Sequence, residues 1–276
     1  MDEHTSGTYS SAVSSRNSGL ISRGIDRRFY MGSMVVPKLG PYTRMLGVVG
    51  PFIKGTNSKF FVTANHVMAQ RWKYTDGDDK TRALQLIYGP DNNYEAHDCG
   101  RLVSGGRTGS LAALIQINQD ILGKVEDSLK TGKFPFAGIS PINFPSYDNR
   151  DSQKTTQVYV FGNQTRTATA KIIVKKKEGL IYLITIESIL LKPNEGGAAI
   201  FIADQDNFLH CVGIYESNIR GDPRQCLVIP IEVILHNLGQ ELGQQLEIHR
   251  QHEKGTSFRT SQEQSAFQKL FINPFT

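Results

Sequence analysis

Lys59-Phe-Phe-Val-Thr-Ala-Asn-His-Val67 is the stretch on which the reading of this sequence turns. Five residues rich in aromatic and β-branched side chains form a short strand, and the polar Asn65-His66 pair stands at its end. Just upstream, Met45-Leu-Gly-Val-Val-Gly50 reads as a second short strand, joined to the first by a turn at Lys54-Gly-Thr-Asn-Ser58. Working outward, strands are expected at 83–88 and 111–117, with turns at Asp76-Gly-Asp-Asp79 and Gly89-Pro-Asp-Asn92. A bridge carrying Pro135, Pro141 and Pro145 follows. A second β-rich block then holds strands at 157–161, 168–175, 180–186, 198–202, 209–215 and 226–229. Two blocks of short strands with a linker point to two small barrels or sandwiches rather than a βαβ array.

The period changes towards the end of the chain. Pro230 stands where a helix begins, and Ile231, Val233, Ile234, Leu235, Leu238, Leu242 and Leu246 recur at helical spacing. A further short helix is expected from Ser261, with Gln264 completing a capping box. Residues 1–30 read as a Ser-rich arm, either a loose tail or an arm docked on a neighbouring chain through Leu20, Ile21, Ile25, Phe29 and Tyr30. The expected division is arm 1–30, first barrel 31–145, second barrel 146–236 and C-terminal helical extension 237–276.

Composition removes several classes of function. The 276 residues carry a net charge of +5, too mild to demand an anionic partner. Lys171 and Lys175–Lys177 form a basic edge, read first as a lysine-guarded strand edge and only weakly as a nucleic-acid contact. Three cysteines, Cys99, Cys211 and Cys226, are too few and too scattered for a disulfide framework or a zinc cluster. No metal-binding or phosphate-loop motif is present, so no cofactor is expected. No apolar run is long enough to span a membrane, and the N-terminus lacks the apolar core of a signal peptide; the expected location is intracellular.

Val62-Thr-Ala-Asn-His-Val67 resembles the histidine motif of the chymotrypsin/trypsin-like serine peptidase superfamily. Other segments resemble that superfamily in the same order. Leu111-Ala-Ala-Leu-Ile115 is similar to its Asp-x-Ala-Leu-Ile strand, and Asn194-Glu-Gly-Gly-Ala-Ala-Ile-Phe201 to its Gly-Asp-Ser-Gly-Gly-Pro-Val-Phe nucleophile loop. The strands at 158–170, 209–215 and 226–235 complete a resemblance covering roughly residues 45–240. It implies an all-β fold of two six-stranded antiparallel barrels, with the functional residues in the cleft between them.

The departures decide the functional expectation. A Ser-His-Asp triad needs a nucleophile, a base, and an acid that fixes the base's tautomer. His66 stands at the base position, but Leu111 stands at the acid position and Gly196 at the nucleophile position. Placing Glu195 at the nucleophile position instead also supplies no serine, and Ser110 and Asp98 are the nearest polar substitutes for the acid. The expectation is therefore a degenerate triad and a chain that is not an enzyme. Such a chain would self-assemble as a viral or crystal-forming structural protein, or hold a protein or peptide in the old cleft. The alternative is an active peptidase with a displaced triad around His66.

Overall fold

The computed structural model describes residues 29–38, 46–69, 82–88, 94–106, 109–122, 136–139, 155–163, 165–171, 182–186, 191–203, 209–219 and 222–249. The first half of these residues forms β1 (Met34–Pro37), β2 (Gly47–Val48), β3 (Phe52–Lys54), β4 (Lys59–Ala64), β5 (Arg82–Tyr88), β6 (Tyr94–Ser104) and β7 (Ala112–Ile117). One turn of helix, α1 (Asn65–Met68), follows β4. The second half forms β8 (Phe136–Ile139), β9 (Thr155–Phe161), β10 (Thr165–Lys171), β11 (Tyr182–Ile186), β12 (Ala199–Ala203), β13 (Leu209–Ile219) and β14 (Asp222–Pro230). The last described elements are helix α2 (Ile231–Leu242) and a short strand, β15 (Glu247–Ile248).

Each half is a closed barrel. In the first, neighbours run β3-β4-β7-β6-β5-β1-β2. The two ends of that series are parts of one bent strand, because β2 passes into β3 through Val49-Gly50-Pro51 and the Gly50 N–H donates to the Val62 carbonyl (2.8 Å). Six strands therefore close on themselves, with β15 added on the outer side of β3. In the second, β12-β9-β10-β11-β14-β13 closes through an additional β12–β13 pairing, again with six strands. β8 lies outside that ring, parallel to β13. The expected all-β fold of two six-stranded antiparallel barrels is present, each barrel carrying one extra strand.

Each barrel has its own apolar filling. Val35, Val49, Phe61, Met68, Cys99 and Ile115 fill the first; Val158, Val160, Ile200, Val212, Tyr215 and Val228 fill the second. A third cluster joins Phe60, Val62 and Leu114 of the first barrel to Phe201, Ile214 and Ile229 of the second. Ile234, Leu235 and Leu238 of α2 belong to it as well. The barrels are thus sealed by packing, not by the linker.

Several expectations change. Phe29, expected to anchor on a neighbouring chain, is fully buried in its own first barrel, with its ring edge-on to Phe61 at 5.4 Å. Tyr30 is exposed, and Leu20, Ile21 and Ile25 lie outside the described residues. The boundary expected at 236/237 falls inside α2, and β8 lies before the expected start of the second barrel although it pairs with it. α2 stops at Leu242 because Gly243 adopts a left-handed φ of 65° and turns the chain. Leu246 is therefore not part of the helix; it is buried beyond the turn and leads into β15. The helix expected from Ser261 and the basic run 175–177 lie outside the described residues. Among the described residues, no helix is long and apolar enough to cross a membrane.

Candidate active site

His66 occupies α1, immediately after the last residue of β4. The first barrel fixes this point tightly, since Ala64 is paired with Ala112 of β7 and is fully buried. Asn65, beside it, accepts a hydrogen bond from the Gly106 N–H (2.8 Å), so the β6–β7 connection is held against α1.

The imidazole has an acid partner. His66 Nδ1 lies 3.0 Å from Oε1 of Glu216, a residue of β13 in the second barrel. The side chains are 36% and 26% exposed, so the pair is partly open to solvent. The other carboxyl oxygen of Glu216, Oε2, is buried and makes no hydrogen bond. A carboxylate on Nδ1 selects the tautomer with its proton on Nδ1, which leaves the Nε2 lone pair free to accept a proton.

The free Nε2 faces Gly196. A β-carbon built on Gly196 would lie 2.6 Å from Nε2 and 2.7 Å from Cε1 of His66, so the ring fills the space a side chain would take. Gly196 is held there from three directions. Its carbonyl accepts from the Val48 N–H at 2.9 Å, with the Thr63 hydroxyl 3.5 Å away. The next residue donates from its N–H to the Tyr215 carbonyl at 2.8 Å. On its N-terminal side runs a 3-10 turn, Pro193–Glu195. Gly197 has a φ of 94°, and a β-carbon there would meet Thr63 Oγ1 at 2.5 Å, so the glycine is required on both counts.

The other candidates do not reach His66. Leu111 is packed on the cluster between the barrels and lines a 220 Å³ cavity with Ser110 and α2. Asp98 is engaged by Arg82 and by the Asn118 side chain (2.9 Å). Glu195 is buried, and its carboxyl accepts from the N–H groups of Lys192 and Asn163; it is not a displaced nucleophile. Glu216 was missed because the strand was read only as far as Tyr215. The one available signal was an acid continuing an otherwise apolar strand.

No family model matches the chain, and no curated protein sequence matches it. Solved structures do. The chain is similar to Thermobifida fusca protease A, at 13% identity and a TM-score of 0.46, over 80% of this chain and 99% of that one. It is similar to Cellulomonas bogoriensis chymotrypsin, at 14% identity and 0.46, over 81% and 100%. It is also similar to tobacco etch virus protease in complex with product, at 11% identity and 0.42, over 81% and 82%. The chain is thus similar to chymotrypsin/trypsin-like serine proteases.

The expectation of a non-enzyme does not stand. It rested in part on a missing acid at Leu111, and that acid is present elsewhere: the Glu216 carboxylate lies 3.0 Å from His66 Nδ1.

Proposed function

We propose that the cleft is a hydrolytic site in which the His66–Glu216 pair acts as general base towards a water molecule. The observation that carries this is one arrangement: Nδ1 engaged by a carboxylate, and Nε2 turned to a residue with no side chain. Nε2 takes a proton from water as the water oxygen adds to the carbonyl carbon of a peptide or ester. The same proton passes to the leaving amine or alcohol as the tetrahedral adduct collapses. Glu216 holds the tautomer and stabilises the imidazolium formed in between. Because the nucleophile is water, no covalent acyl-enzyme forms. Three free thiols, all buried, fit a reducing compartment.

The test is turnover of a peptide and ester library by the full chain, alongside His66→Ala and Glu216→Gln. General-base assistance is worth roughly 10²–10⁴-fold, so each substitution should lower kcat by that order. Progress curves should show no burst, and a fluorophosphonate should label no serine. Hydrolysis unaffected by His66→Ala, serine labelling, or no turnover above the uncatalysed rate would each overturn the proposal.

A further inference from the structure

Glu195 makes a contact that the proposed chemistry does not use. It is 2% exposed, next in sequence to the glycine that faces His66. Its Oε2 accepts the Lys192 N–H at 3.0 Å, and its Oε1 accepts the Asn163 N–H at 3.3 Å. Asn163 belongs to the turn between β9 and β10, so the carboxyl spans from that turn to the loop carrying Gly196. The turn has its own support. Gly32, at the entry to the first barrel, has a φ of 94°, and a β-carbon there would lie 2.0 Å from the Gly162 carbonyl oxygen.

We infer that Glu195 is a positioning residue, tying Gly196 and hence the Nε2 face of His66 to the β9–β10 turn and, through Gly162, to the Gly32 segment. The carbonyl of Gly196 is fixed by Val48 and Thr63, and the Gly197 N–H by Tyr215. Those anchors lie on the C-terminal side of the Gly196 α-carbon; Glu195 supplies one on its N-terminal side. A carboxyl suits the task because both oxygens accept, whereas a carboxamide sets a donor against one of the two N–H groups.

This inference rests on the hydrolytic reading only for its kinetic arm. In Glu195→Gln, the His66 Nδ1–H resonance should move or disappear from the proton spectrum of the full chain. His97, paired with Glu95 at 3.1 Å in the first barrel, should keep its signal. kcat should fall roughly tenfold to a hundredfold with KM unchanged, since a misplaced reacting group costs rate before binding. In the unsubstituted protein, the Asn163 and Lys192 amides should exchange slowly with solvent, a measurement that does not depend on how the variant folds. A folded Glu195→Gln whose His66 signal is unchanged, or rapid exchange of those two amides in the parent, overturns the assignment. Neither result touches the hydrolytic reading, which stands or falls on His66→Ala.

Discussion

Replacing Glu232 with glutamine should remove a pH-dependent cost from folding. Glu232 lies in the first turn of α2 and is half-buried, but its Oε2 is fully buried and makes no hydrogen bond. Burial pushes its acid constant from 4.5 up to about 7, opposed by a hydrogen bond to its own backbone N–H. An acid at a helix N-terminus gains about 0.3–1 kcal/mol from the helix dipole. A shift of this size corresponds to about 3 kcal/mol, so desolvation wins. The sign follows from the raised constant: the folded chain holds the proton more tightly than the unfolded one. The stability this group provides is full below about pH 4.5 and is lost as pH rises through about 7. Urea unfolding of the parent and Glu232→Gln between pH 4 and pH 8 isolates the term, because other groups cancel in the difference. The variant should gain about 3 kcal/mol on the parent across that range. Two unfolding profiles running parallel in pH would refute the argument.

Gly196→Ala tests the contact between the loop and the imidazole. Its φ of −50° suits alanine, so the backbone tolerates the change, while the new β-carbon pushes the His66 ring off Glu216. The expected outcome is loss of the His66 Nδ1–H signal with stability within about 1 kcal/mol of the parent, checked by proton NMR and urea unfolding. The cysteines should be inert in the folded chain. Burial raises the thiols of Cys99 and Cys211 well above the ordinary range, and that of Cys226 to about 12. Iodoacetamide should modify them only in denaturant, as mass spectrometry would show.

The parts of this fold that could be read in the sequence are those where local chemistry and tertiary position agree. β4 delivers His66 as its apolar run implies, and the Gly196-Gly197 pair stands where the His66 ring and Thr63 crowd the loop. β6 was not legible. Glu95, His97, Asp98 and Arg101 give it a polar look, and it is a strand because β5 and β7 pair with both its edges. β8 hides for a different reason, since its pairing is parallel and joins it to a strand far along the chain. Leu246 kept the helical period past the residue that ends the helix, because periodicity carries no information about a left-handed glycine at 243. Glu216 could not be assigned to His66 from order alone. The two are 150 residues apart, and only closure of both barrels brings them together.

That separation has a consequence for control. The imidazole of His66 comes from one barrel and its carboxylate partner from the other, so neither barrel alone contains the His66–Glu216 pair. The pair exists only while both barrels are in place. The distance between these two side chains is in this sense a gauge of how far the two halves of the molecule are closed, and a partner wedged between the barrels would separate them without touching either.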